Sequence, residues 1–123
     1  MRVLVSGHHN PHFTTITEYI ERAVQALGHQ LVVFEDRRHL IPGRLRQRWA
    51  LLQSISVAAI NMRLVRLAER TQPELVVVTG GHRITRRALD PLARMGAQVV
   101  LWTTDAPRTG DVMRETAHHY HAV

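Results

Sequence analysis

The chain has 123 residues, 45% of them hydrophobic and 21% charged, which is the make-up of one folded domain and excludes bulk disorder. It has no cysteine, so disulfide staples, thiolate zinc sites and cysteine nucleophiles are excluded. The 16 Lys or Arg positions are all arginine, against 10 acids and a net charge of +6. That surplus is compatible with nucleic acid, an anionic small molecule or a membrane surface, and a GC-rich coding sequence accounts for the missing lysine.

Arg2–Ser6 is a short apolar run ended by Gly7, which predicts a buried strand and a turn. The run is too short for a signal-peptide core, and nothing in the chain approaches about 18 uninterrupted apolar residues, so neither a leader nor a membrane span is expected. Asn10-Pro11 reads as a helix start, and Thr15-x-x-Glu18 offers a second, overlapping capping box. Ile16, Ile20, Ala23, Val24 and Leu27 recur at helical spacing up to Gly28. Gln30–Glu35, β-branched and aromatic, predicts the second strand, and Asp36–Gly43 a polar, arginine-rich loop.

Arg44–Gln72 has neither glycine nor proline. As one helix it would span about 43 Å, more than the roughly 35 Å width of a domain this size, so two helices with a break at Ser54–Asn61 are expected. Ser56–Ile60 is apolar on nearly all faces, which predicts deep burial or a surface that meets another domain or subunit. Pro73 ends the region. Glu74–Thr79 predicts a third strand, Thr85–Arg94 a helix, Gln98–Trp102 a fourth strand, and Asp111–His119 a last helix. Ala122-Val123 would then open a fifth strand, which suggests that the chain is part of a longer protein.

Strands separated by helical segments predict βαβ units and a parallel sheet covered on both faces. The fold class is α/β, a Rossmann-like or flavodoxin-like three-layer sandwich with strand order 2-1-3-4(-5). Ligands of such sheets bind beyond the carboxyl ends of the strands, where the order reverses. Three loops fall there: Gly7-His8-His9-Asn10-Pro11-His12, Thr79-Gly80-Gly81-His82-Arg83, and Thr103-Thr104-Asp105-Ala106-Pro107-Arg108. Gly7 puts backbone amides at a helix N-terminus, which favours an anion. The loop lacks G-x-G-x-x-G, which argues against a tightly held dinucleotide.

Each candidate has a plainer reading beside it. Gly7 and Gly80 also serve simply to turn the chain, and Asp105, the one carboxylate in the three loops, also suits a turn cap. His8, His9 and His12 read as solvated loop side chains sooner than as ligands. Trp102 reads as core rather than a stacking platform, and Arg63, Arg66 and Arg70 as one solvated helix face. The second histidine cluster, His118, His119 and His121, falls near the opposite sheet edge, about 17 Å or more from the first. Neither cluster has a zinc-site spacing, so no metal and no cofactor are expected. The acidic residues of a receiver domain, the Asp-x-His-x-x-Gly of cobalamin binding and the G-x-S-x-G nucleophile elbow are all absent.

Asn61-x-Arg63-Leu64, Leu67-Ala68 and Pro73-Glu-Leu-Val-Val-Val-Thr-Gly80 lead through Ile84, Leu89, Leu92 and Gly96 to Val100-Leu-Trp-Thr-Thr-Asp105. With the opening Met-Arg-Val-Leu-Val-Ser-Gly and Ala26-Leu-Gly-His29, this resembles the N-terminal domain of CgeB-like (spore maturation protein) GT-B glycosyltransferases. The resemblance implies the acceptor-side half of a two-domain enzyme, inactive without a C-terminal domain that holds the nucleotide-sugar donor. Gly7, His8, His9, Asn10, Gly80, Gly81, His82, Arg83 and Thr104 would then line the interdomain cleft. Asp105 would orient or deprotonate an acceptor hydroxyl if the reaction inverts; Ala106 stands where many family members carry a second aspartate. The alternative is a stand-alone α/β ligand- or partner-binding module without catalysis, dimeric through residues 56–60. With only 5% aromatic residues, few stacking platforms exist for nucleic acid. The expected compartment is the cytoplasm.

Overall fold

The computed structural model describes residues 1–37, 42–104 and 112–123, the side chains of 45–47 excepted. In chain order the elements are β1 (Arg2–Gly7), α1 (Ile16–Ala26), β2 (Gln30–Glu35), α2 (Gly43–Arg48), α3 (Ala50–Thr71), β3 (Leu75–Thr79), α4 (Arg86–Arg94), β4 (Gln98–Trp102) and α5 (Val112–Thr116), with a 3-10 turn over Ala117–His119. The four strands are parallel and ordered β2-β1-β3-β4, as the sequence predicts. Val3 pairs with Leu31 on one side and Leu75 on the other, so β1 lies in the middle of the sheet and is apolar on both faces.

Alternation along the strands divides the core in two. Leu4, Phe34, Val76 and Val78 face Ile60, Leu64 and Ala68 of α3 and Ala88, Leu89 and Leu92 of α4. Val3, Val5 and Val77 face Val24 and Ile20 of α1. This is a Rossmann-like three-layer sandwich. The chain returns to the outer edge of β4, where Leu101 N donates to Ala122 O at 2.9 Å and His121 N to Val99 O at 2.7 Å. The expected fifth strand is there as a single parallel bridge, Val100 to Ala122.

Three expectations about helices need correction. α1 starts at Ile16 with Thr15 as N-cap; Asn10 instead accepts the His12 N–H on its Oδ1 at 2.9 Å, an Asx turn that competes with helix. The Arg44–Gln72 break falls at Trp49, extended at φ −133°, ψ 110°, and Ser54–Asn61 is continuous helix. The last helix is one short turn, α5, followed by the 3-10 segment; Asp111 lies outside the described residues.

α3, with 22 residues and a mean hydropathy of 1.2 over its most apolar window, is long and apolar enough to cross a membrane by length and composition alone. Here its Ile60, Leu64 and Ala68 pack onto the sheet. Within 56–60, Ser56 and Ile60 are buried and the residues between them half-buried. Four exposed apolar side chains flank that stretch, Trp49, Leu51, Ile55 and Met62.

Candidate functional site

β1 is followed by a connection to β2 on one side, and β3 by a connection to β4 on the other, so the strand order reverses between their carboxyl ends. A cleft of about 320 Å³ opens there, within the size range of small-molecule sites. His8 and Asn10 reach it from the β1 loop, Gly80 to Arg83 from the β3 loop, and Thr104 from the β4 loop. These seven sequence-predicted residues are therefore brought together. Asp105 lies outside the described residues.

Gly7 sits behind the cleft, and its reason for being glycine is packing. A Cβ there would overlap the hydroxyls of Thr17 and Thr79, which hydrogen-bond each other at 2.8 Å across the α1–β3 contact. Thr79 also donates to Ser6 O at 3.2 Å. The α1 N-terminus has an acid of its own, since Glu18 Oε2 accepts the Thr15 N–H at 2.6 Å. That carboxylate already answers the helix dipole and disfavours a second anion beside it.

His9 turns to two glutamates. Its Nδ1 lies 2.9 Å from Glu35 Oε2 and its Nε2 2.8 Å from Glu21 Oε1. Glu35 further accepts the His9 backbone N–H at 2.9 Å, the Arg37 N–H at 3.0 Å and a 3.3 Å contact from His8 Nδ1. With a carboxylate oxygen against each ring nitrogen, the ring satisfies both only as imidazolium. Partial burial is the largest single influence on His9 and pulls its pKa down, but the hydrogen bonds and charges of Glu35 and Glu21 together outweigh it and the pKa is raised. Burial likewise pushes Glu35 up, and its donors, led by His9, bring it below the ordinary value.

The β3 loop is held by a neutral side chain. Asn61, fully buried on α3, donates to Arg83 O and Val57 O, both at 2.8 Å, and accepts the Thr85 N–H on Oδ1 at 2.8 Å. Thr85 in turn caps α4 by a long 3.4 Å bond from Arg87 N. Gly80 and Gly81 turn the chain with φ of 84° and 73°, a region that side-chain-bearing residues rarely enter. Gly81 is doubly constrained, because a Cβ there would also press on Leu101 at 2.8 Å.

The sequence reading missed Asp36. It follows β2 directly, and its N–H donates to Gly7 O at 3.0 Å, which carries the β1–β2 ladder one step further. The residue is only 6% exposed and lines the cleft, yet its Oδ1 has no hydrogen-bond partner among the described residues. Burial, then the adjacent Glu35 charge, push its pKa up, while Arg83, Arg37 and His8 pull the other way. Ser6 Oγ, on the neighbouring strand and in register with Phe34, is a second buried oxygen without a partner among the described residues. The available signal was position: an acid at the carboxyl end of β2 belongs to the same edge as the three loops.

Trp102 is also re-read. It is 52% exposed and borders the cleft, because β4 alternates Leu101 into the core and Trp102 out of it. The arginine row differs from a simple solvated face: Arg63, Arg66 and Arg70 border a groove against Val33 and Phe34, with the Arg63 guanidinium 5.8 Å from the Phe34 ring centroid. The carboxy-terminal histidines have local partners. His121 Nδ1 accepts Val99 N–H at 2.9 Å, and His119 Nδ1 lies 3.3 Å from Asp90.

Comparison with known proteins adds no relative: no family model, curated protein or solved structure matches the chain. The architecture is that of a Rossmann-like α/β fold, of the kind used to bind nucleotides, with an open cleft at its strand-order reversal.

Proposed function

We propose that this chain is the acceptor-side domain of a nucleotide-sugar-dependent glycosyltransferase, its cleft taking a hydroxyl-bearing acceptor while a separate donor-binding domain supplies the sugar nucleotide. The observation that carries the reading is the exposed indole of Trp102 on a cleft bordered by polar loops after β1 and β3. A sugar has apolar C–H faces that stack on an aromatic ring and hydroxyls that need acceptors. Arg37 and Arg83 add positive charge at the same edge.

The test is saturation-transfer NMR of the chain against methyl glycosides of glucose, galactose, mannose, N-acetylglucosamine and rhamnose. Binding of at least one, weakened about tenfold or more by Trp102→Ala, is the expected result. Binding of none at tens of millimolar overturns the acceptor reading. Nucleotide sugars are expected to bind the isolated chain weakly, since their principal contacts lie on the other domain.

A second reading, a stand-alone partner-binding module, is favoured by the exposed apolar row on and beside α3, at Trp49, Leu51, Ile55 and Met62. A concentration-dependent mass by sedimentation, abolished by Leu51→Glu with Ile55→Glu, would support a homodimer on that face. A monomer at all concentrations would remove it.

A further inference from the structure

We propose that Asp36 is the hydroxyl-recognition residue of the cleft, its carboxylate accepting a hydrogen bond from a neutral sugar hydroxyl. This rests on the acceptor reading and assigns the carboxylate role to a residue outside the three loops singled out by sequence.

An aspartate 94% buried is costly unless its oxygens find donors. Asp36 Oδ1 has none among the described residues, although the residue borders the cleft. Glu35, one residue before it, shows the contrast on the same strand end: both of its oxygens are engaged by His8, His9 and Arg37. Asp36 is therefore the carboxylate left with capacity for a ligand.

The surroundings select the donor. Arg37 and Arg83 border the cleft, which disfavours a cationic ligand. An anion would have to approach Asp36 and the neighbouring Glu35 charge directly. A neutral hydroxyl avoids both penalties, because it brings a donor and no net charge. Burial raises the pKa of Asp36, and a donated hydrogen bond lowers it by stabilising the ionised form.

The test uses the tightest-binding methyl glycoside of the five, its monodeoxy analogues, and the whole chain as wild type and as Asp36→Asn. In the wild type, carbon-13 detection of the Asp36 carboxyl should show its titration moving to lower pH when the glycoside is added. Asp36→Asn should bind the glycoside about tenfold more weakly while melting at the same or a higher temperature, because a buried charge has been neutralised. One monodeoxy glycoside should bind both proteins alike, which identifies the recognised hydroxyl. Equal glycoside affinity in both proteins, or a carboxyl titration indifferent to the glycoside, overturns the role of Asp36 and leaves the acceptor cleft standing. Failure of every glycoside to bind the wild type overturns the acceptor reading and this inference with it. Should Asp36→Asn melt lower, the wild-type carboxyl titration decides alone.

Discussion

The two lips of the cleft are built on different chemistry. The β1 lip is fastened by charge: His9 bridges Glu21 of α1 and Glu35 of β2. The β3 lip is fastened by a neutral amide, Asn61, which holds Arg83 O and Thr85 N from inside α3. Both arrangements satisfy backbone and side-chain groups that would otherwise be stranded at a sheet edge. Only the first changes with pH. Proton concentration therefore acts on one wall of the cleft and leaves the other in place.

The largest expected effect lies behind both lips. Gly7→Ala forces a methyl group into the Thr17–Thr79 hydroxyl pair and should cost about 3 kcal/mol or more, the upper range of overpacking, read as a lowered denaturant midpoint. A thermal and chemical stability equal to wild type would show that α1 can slide off β3 at little cost. Asn61→Ala should come next, at about 2–3 kcal/mol, because it leaves Arg83 O and Thr85 N unpaired in a buried setting. That loss should be the same at pH 5 and pH 8; a pH-dependent loss would break the distinction between the lips.

His9 sharpens the same contrast. Its folded pKa stands above the ordinary 6.5, so its stabilisation is complete below about 6.5 and is lost as pH rises through the folded value. Glu35 has a folded pKa below the ordinary 4.5, so its contribution is present above about 4.5 and is lost as pH falls through the folded value. The β1 lip should accordingly be tightest between about pH 4.5 and 6.5. His9→Gln should cost about 1 kcal/mol at pH 5.5 and much less at pH 8.5, measured by urea unfolding at each pH. A cost independent of pH would mean that the imidazolium is not what holds the loop. The smallest effect is Thr85→Ala, about 0.5 kcal/mol, since its cap bond is already 3.4 Å long.

The parts of the fold legible in the sequence were those set by local pattern. Four apolar runs, each closed by glycine, tryptophan or an acid, located the strands, and the composition of the segments between them gave a parallel sheet and its order. The break at Trp49 was not legible, because it depends on one residue entering the extended region with no glycine or proline to mark it. The loops of the cleft were legible from topology alone. Their internal bonding was not. Nothing in Gly7-His8-His9 names Glu21 or Glu35 as partners, and Gly7 is fixed by hydroxyls from Thr17 and Thr79, which are far apart in the chain. Asp36 escaped notice for a related reason. In sequence it is one more polar loop residue, and its distinction lies in burial without a partner among the described residues, a property that appears only once the strands are side by side.

The central position of β1 carries a kinetic consequence. Its pairing with β2 joins Val3 to Leu31, while its pairing with β3 joins Val3 to Leu75. Closing the longer of these loops costs about 0.8 kcal/mol more chain entropy, and it also requires α3 to be laid down between the strands. The β1–α1–β2 unit should therefore assemble first and wait with one edge of β1 open until β3 arrives. During that interval the apolar edge of Val3, Leu4 and Val5 is the segment most exposed to wrong pairing. Refolding yield should fall with protein concentration before native stability does, and it is β3, late in the chain, that ends the period of risk.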